Sequence, residues 1–267
     1  MAKNNPIGIF DSGVGGLTVA SAIHQLLPFE SFIYFGDTRH APYGDKSKST
    51  ILDYSRRISR FLVESDCKCI VVACNSASAM AYKELKQDWP EVPILNVVEP
   101  VVNEVARLKA RKVGVVATRA TVRSQVYSKQ LQKLDVDLKV VQKATPLLAP
   151  LVEEGFAGTE VSTGVLAHYL ADPALKDLSH LILGCTHYPL LQAEFEHYLG
   201  QDVQVINSAE MVARRLQQML SEKGLLRELN TAPKLHFYVS EKTKAFSKTA
   251  RLFFGQEIKL SEKLLPA

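Results

Sequence analysis

Two stretches of the chain decide its fold: IVVACN at residues 70–75 and LILGCT at residues 181–186. Each is a short apolar run that ends in a small residue, a cysteine and a polar residue. A run of this kind, bounded by polar turn-forming residues, predicts a buried strand. Cys74 and Cys185 are therefore predicted to lie just past the carboxyl ends of two strands.

A second pair of stretches repeats at a similar spacing. IGIFDS at residues 7–12 resembles VGVVAT at residues 113–118, with an offset of 106 (114 − 8), against 111 (185 − 74) for the cysteines. Ordered matches at nearly equal offsets predict two similar βα halves, although any two buried strands share some similarity. Because open parallel sheets bind ligands at the carboxyl ends of their strands, two such halves would face a shared cleft.

Short apolar runs alternate with amphipathic stretches along the whole chain, which is typical of βα units around a parallel sheet. We predict strands at 7–10, 31–35, 69–73, 94–97, 113–117, 138–142, 181–183 and 203–206, with helices between them, for example at 51–65, 101–109, 123–134, 162–170 and 209–223. The expected fold class is α/β, with two pseudosymmetric α/β domains whose mainly parallel sheets face a shared cleft. The first domain would comprise residues 1–98 and 210–267, and the second residues 99–209.

The composition excludes several classes of protein. The chain has 267 residues, of which 46% are hydrophobic and 22% charged, as in ordinary soluble globular proteins. A net charge of +4 from dispersed basic residues argues against a nucleic-acid partner. The sequence contains no apolar run near the roughly 18 residues of a membrane helix and no signal-peptide pattern. We expect a cytoplasmic protein without a membrane partner.

The four cysteines fall into two groups. Cys67 and Cys69 lie at the start of a predicted strand with no further ligands at metal-site spacing, so we expect them to be structural and expect no metal. Cys74 and Cys185 lie where a strand leads into a helix. The positive end of a helix dipole should lower the pKa of such thiols, which favours a functional role over that of a buried small hydrophobe.

The loop DSGVGG at residues 11–16 is rich in glycine and follows a predicted strand. Its backbone N–H groups could face an anion. A dinucleotide fingerprint fails because residue 18 is threonine, and the absence of a P-loop lysine favours a carboxylate over a phosphate. Asp11 would bind an ammonium group or orient a base, or else it is a helix N-cap.

Further polar residues follow other strands of the predicted rim. They are the segment DTRHAPYG at 37–44, Thr118, Thr121 and Glu153. Among the seven histidines, only His187 lies beside a candidate catalytic group, two residues after Cys185. It would assist proton transfer there, with a packed or surface histidine as the alternative.

Two thiols on opposite halves suit the inversion of a carbon centre. One thiolate removes a proton from one face while one thiol returns a proton to the other, and fixed N–H and hydroxyl donors stabilise the charge that develops. A single nucleophilic cysteine would instead suit a hydrolase. The sequence carries no cofactor signature.

Four motifs together resemble the bacterial glutamate racemases of the aspartate/glutamate racemase family. They are IFDSGVGG at 9–16, DTR at 37–39 with PYG at 42–44, ACN at 73–75 and GCTHYP at 184–189. The resemblance covers essentially the whole chain in order, and GCTHYP is its most specific part. Aspartate racemases usually have another residue at the position of His187, so this residue favours glutamate.

The resemblance implies a two-base interconversion of L- and D-glutamate without pyridoxal phosphate or any other cofactor, supplying D-glutamate for peptidoglycan. By motif match, Cys74 and Cys185 would be the bases, assisted by Asp11, His187 and Glu153. The substrate would be held by Asp11, Ser12, Pro42, Tyr43, Gly44, Asn75, Ser76, Thr118, Thr121, Thr186 and His187. Ser76 departs from the family's usual threonine but keeps the hydroxyl group.

Several alternatives stay open at this point. The same fold could act on aspartate or a hydantoin, or serve as a non-catalytic amino-acid sensor or protein-binding partner, as reported for relatives that bind DNA gyrase. The sequence also leaves open a homodimer and activation by a cell-wall precursor.

Overall fold

The computed structural model describes residues 2–228 and 232–266. Its strands are β1 (Ile7–Asp11), β2 (Phe32–Gly36), β3 (Cys69–Val72), β4 (Ile94–Asn96), β5 (Lys112–Ala117), β6 (Lys139–Ala144), β7 (His180–Gly184), β8 (Gln204–Ile206), β9 (Leu235–Val239) and β10 (Leu260–Glu262). Its α-helices are α1 (Leu17–Leu26), α2 (Lys48–Glu64), α3 (Asn75–Met80), α4 (Tyr82–Asp88), α5 (Glu99–Arg107), α6 (Arg119–Ser124), α7 (Val126–Leu134), α8 (Leu148–Glu153), α9 (Glu160–Leu170), α10 (Gln192–Leu199), α11 (Ser208–Glu222) and α12 (Lys244–Phe254). Short 3₁₀ helices lie at Thr38–His40, Tyr43–Asp45, Pro173–Leu175 and Tyr188–Leu191.

The strands form two sheets with the same internal order. In the described residues, one sheet has six strands in the order β10-β9-β2-β1-β3-β4, and the other has four in the order β6-β5-β7-β8. Every pairing within them is parallel. The order 2-1-3-4 of the first sheet therefore returns as 6-5-7-8 in the second. The predicted α/β fold with two pseudosymmetric, parallel halves is confirmed, and each repeated motif lies on a central strand.

Burial explains why the central strands are almost wholly apolar. All residues of β1, β3 and β7 are buried, as expected for a parallel sheet covered by helices on both faces. The limits predicted for the two domains stay a prediction, but the six-stranded sheet does take strands from both ends of the chain. Among the described residues, we find no helix with the length and apolar character needed to cross a membrane.

Two features of the fold differ from the sequence prediction. The helix predicted at 123–134 is two helices, because Gln125 adopts a left-handed conformation with φ of 59° and separates α6 from α7. The predicted strands did not include β9 and β10. Both are outer strands of the first sheet, and β9 is only partly buried, so neither has the continuous apolar run of a central strand.

A buried lysine ties β3 to distant parts of the first half. Lys68 is fully buried, and its Nζ lies 2.5 Å from Glu30 Oε2. The same Nζ donates to the carbonyl oxygens of Lys3 and Leu225, each at 2.8 Å. Its neighbours Cys67 and Cys69 are buried in the apolar core, and burial raises the pKa of both thiols. This agrees with the structural role predicted for them.

We expect Lys68→Met to lower the free energy of unfolding by about 3–5 kcal/mol, because it leaves the buried Glu30 carboxylate without its cation. Lys48→Met is the matched control, since Lys48 pairs with Glu84 while 60% exposed. Breaking that exposed pair should cost less than about 1 kcal/mol. Urea unfolding of the three proteins tests this, and equal shifts for both variants would contradict it.

Candidate active site

A cavity of about 300 Å³ lies where the carboxyl ends of the two sheets meet. Twelve of the predicted site residues line it: Ser12, Pro42, Tyr43, Gly44, Cys74, Asn75, Ser76, Thr118, Glu153, Cys185, Thr186 and His187. They come from both halves of the molecule, and both cysteines are among them. The predicted shared cleft is therefore present, with a thiol from each half on its wall.

Six further residues line the cavity that the sequence analysis did not single out. They are Gly13, Thr38, Ala41, Ala149, Pro150 and Phe246. The first three fall inside the quoted segments, and their nearness in sequence to predicted site residues could have indicated them. No motif in the sequence indicated Phe246, because α12 lies beside the cavity only after the end of the chain has folded back onto the first half.

Cys74 lies directly after β3 and caps α3. Its Sγ accepts a hydrogen bond from the Ala77 N–H at 3.4 Å and lies 3.6 Å from Ser12 Oγ. Burial, and then the charge of Asp11, raise the pKa of Cys74 to about 12, although the contacts with Ala77 and Ser12 act in the opposite direction. The predicted lowering of the pKa is wrong for this thiol, because the dipole of the six-residue α3 does not offset desolvation.

Cys185 has a different set of neighbours at the equivalent position after β7. Its Sγ lies 3.6 Å from His187 Nδ1, and His187 Nε2 lies 2.7 Å from Glu153 Oε1 at the end of α8. Burial lowers the pKa of His187, but the contacts with Cys185 and Glu153 outweigh it and raise the pKa to about 10. These two contacts therefore favour the protonated form of His187, beside the Cys185 sulfur.

Two predicted site residues, Asp11 and Thr121, lie behind the cavity wall. Asp11 is fully buried, and its Oδ2 accepts from the Gly13 N–H at 3.0 Å. Its Oδ1 has no hydrogen-bond partner within the described part of the chain. Asp11 is not the N-cap of α1, which is Gly16. Thr121 is also fully buried, and its backbone N–H donates to Thr118 Oγ1.

Close packing requires two glycines of the loop at 11–16, and at Gly15 the neighbour belongs to the other half. A Cβ on Gly15 would lie 2.4 Å from Thr186 Oγ1 and 2.5 Å from the His187 ring, and one on Gly16 would lie 2.5 Å from Asp11 Cβ. Only Ser12 and Gly13 of this loop reach the cavity. Of the residues in this loop, only these two are therefore placed to face an anion in the cavity.

The segment at 41–44 covers the cavity and is held by a buried carboxylate. The Tyr43 hydroxyl donates to Asp37 Oδ2 at 2.6 Å, and Ser240 Oγ donates to Asp37 Oδ1 at 2.8 Å. Burial, and then Asp37, raise the pKa of Tyr43, so its hydroxyl stays protonated. Gly44 then packs against Thr118 of the other half, where a Cβ would lie 3.0 Å from Thr118 Cβ.

Hydrogen bonds also join the halves at the cavity itself. Ser76 Oγ lies 2.9 Å from Thr118 Oγ1, and the Tyr127 hydroxyl donates to Asn75 Oδ1 at 2.8 Å. Within residues 2–228 and 232–266, no group of three or more His, Cys, Asp or Glu side chains is arranged to hold a metal ion. The chemistry offered by the wall is that of two thiols, one histidine paired with a carboxylate, and several hydroxyl and amide groups.

Comparison with known proteins places this site in a family. The sequence profile of the Asp/Glu/Hydantoin racemase family matches residues 18–216. A glutamate racemase of Geobacter metallireducens is 41% identical over 253 residues, which cover 94% of this chain and 93% of the relative. The crystal structure of glutamate racemase from Francisella tularensis subsp. tularensis in complex with D-glutamate has a TM-score of 0.93, 34% identity and 98% coverage of both chains.

A second solved structure agrees with the first. A glutamate racemase isoform from Bacillus anthracis has a TM-score of 0.93 and 38% identity, and 99% of each chain is covered. The chain belongs to the Asp/Glu/hydantoin racemase family. It is an isomerase, an amino-acid racemase.

We expect Gly15→Ala to reduce racemase activity on the order of 10²-fold, because the added Cβ must displace Thr186 and His187 beside Cys185. Gly164→Ala is the matched control, since nothing lies within 4 Å of a Cβ at that helical position. Steady-state assays and thermal melts of both variants test this. Full activity in a folded Gly15→Ala protein would show that the close approach is dispensable.

The two site cysteines should differ in reactivity toward iodoacetamide at neutral pH. We expect Cys185 to be alkylated faster than Cys74, because thiolates attack and the pKa of Cys74 is raised to about 12. His187→Asn should slow the labelling of Cys185, while buried Cys67 and Cys69 report on unfolding. Peptide mass spectrometry against time measures all four sites, and faster labelling of Cys74 would contradict the assignment.

Proposed function

We propose that the protein interconverts L- and D-glutamate by a two-base transfer of the α-proton between Cys74 and Cys185, without a cofactor. The observation that carries the proposal is that both thiols line one cavity, each after an equivalent strand of its half. In the cytoplasm, the product D-glutamate would serve peptidoglycan synthesis.

The proton balance of this reaction is simple. In one direction, the thiolate of Cys185 takes the α-proton and becomes a thiol, while the thiol of Cys74 protonates the opposite face of the carbon and becomes a thiolate. The reverse direction exchanges the two roles. The unlike surroundings of the sulfurs fit this scheme, since His187, whose pKa is raised, lies beside Cys185, while burial raises the pKa of Cys74.

The donors on the wall suit a substrate with two carboxylates. The hydroxyl and amide groups are those of Ser12, Asn75, Ser76, Thr118 and Thr186. Fixed donors of this type stabilise the charge that moves onto the α-carboxylate as the proton leaves, and they act most strongly where water is excluded. Asp11 behind the wall and Glu153 beside His187 are proposed to assist the two bases.

The relatives support glutamate as the substrate. The Geobacter protein is a glutamate racemase with 41% identity, and the Francisella structure contains D-glutamate within a fold that superposes over 98% of this chain. A cavity of about 300 Å³ is at the small end of ligand pockets, which suits a small amino acid.

Incubation with L-glutamate in deuterium oxide tests the proposal. We expect D-glutamate that carries deuterium at Cα, formed without added cofactor. Cys74→Ala and Cys185→Ala should each lower turnover about 10²–10⁴-fold, because each removes a positioned acid–base group. Cys67→Ala is the control, since that thiol lies in the apolar core away from the cavity.

Three outcomes would count against the proposal. No exchange and no D-isomer from the wild-type protein would refute the activity. Tight binding of glutamate without exchange would support an amino-acid sensor. Exchange of aspartate or a hydantoin, but not of glutamate, would reassign the substrate.

A further inference from the structure

A tyrosine of the second half contacts the residue that follows Cys74 in the first. Tyr127 lies on α7 and is fully buried, and its hydroxyl donates to Asn75 Oδ1 at 2.8 Å. Asn75 is the first residue of α3, lines the cavity and is only 2% exposed. The bond therefore links the two halves at the cavity wall.

The other end of the Asn75 amide is left free. Its Nδ2 is buried and, among the described residues, has no hydrogen-bond partner. A buried amide donor without a partner is costly and needs an explanation. Because the amide oxygen is held by Tyr127, the N–H₂ group is the one available to an acceptor in the cavity.

We propose that Tyr127 is a positioning residue that fixes the amide of Asn75 with its N–H₂ group toward a carboxylate of the bound amino acid. This rests on the proposed function, which places a dicarboxylate in the cavity. Without the hydroxyl of Tyr127, the amide is free to turn over. It would then present its oxygen to the carboxylate, which repels it.

The surroundings of Tyr127 suit this task. The phenol hydroxyl donates its one proton to the amide oxygen, so this bond holds the oxygen end of the amide and leaves the N–H₂ group on the other side. Burial, and then the charge of Cys185, raise the pKa of Tyr127, so the hydroxyl stays a donor throughout the working pH range. Helix α7 begins directly after the left-handed Gln125, and its residue Tyr127 packs in the apolar core of the second half.

The test is a comparison of Tyr127→Phe with wild-type enzyme in both reaction directions. We expect KM for both enantiomers to rise about tenfold, as for a lost hydrogen bond to a charged group, with kcat changed by less than about threefold. Tyr82→Phe is the matched control, because it removes a phenol hydroxyl bonded to Glu99, and neither residue lines the cavity. Its KM should equal that of the wild type.

Two further variants separate positioning from general stability. Asn75→Asp keeps an oxygen for Tyr127 but removes the N–H₂ group, so KM should rise in the folded protein, and the buried carboxylate should also lower the melting temperature. In an Asn75→Ala background, Tyr127→Phe should add less than about twofold to KM, since the amide it orients is gone. Purely structural effects of the two changes would instead multiply.

Each result has one meaning. A wild-type protein that does not racemise glutamate defeats the proposed function before Tyr127 is considered. An active wild type with an unchanged KM in Tyr127→Phe or in Asn75→Asp overturns the positioning role. So do multiplicative effects in the double variant.

Discussion

The close approach of the two halves at Gly15 is the constraint on which the rest of the site depends. No side chain fits between the loop at 11–16 and the segment that carries Thr186 and His187. The halves meet there at the carboxyl ends of β1 and β7, and the Thr18 hydroxyl donates to the Thr186 carbonyl across the same junction. In a parallel sheet, the loops that follow the strands lie at one edge, that of the carboxyl ends. The contact at Gly15 therefore brings one thiol from each half to the same cavity.

The two halves share their strand order, but the side chains around their two cysteines differ. Cys74 and Cys185 occupy equivalent positions, but Cys74 faces Ser12 with Asp11 nearby, whereas Cys185 faces His187 and, through it, Glu153. An acidic residue thus lies near one sulfur and a histidine with a raised pKa near the other, so the two thiols have unlike electrostatic surroundings. The proposed two-base reaction would use this difference, because it needs one base and one acid at the same moment.

The sequence predicted what is local or repeated and missed what depends on tertiary packing. The central strands and the positions of both cysteines follow from apolar runs within single βα units, and the other ten predicted residues of the cavity come from polar segments at strand ends and from the family resemblance. The raised pKa of Cys74 was missed because the burial of its thiol and the charge of Asp11 arise only when strands pack. The burial of Asp11 and Thr121 behind the wall is also a result of packing that their motifs do not show, and their roles at the site stay predictions.

Phe246 and Tyr127 show a harder limit. Each reaches the site from a helix whose own sequence carries no motif, Phe246 because α12 folds back onto the first half and Tyr127 because α7 begins anew after Gln125. In the sequence alone, a lone aromatic residue in an apolar stripe looks like a core residue, and most such residues are core residues. Tyr127 differs from a core residue because its hydroxyl donates to the amide of Asn75, and this bond forms only when the two halves are in contact.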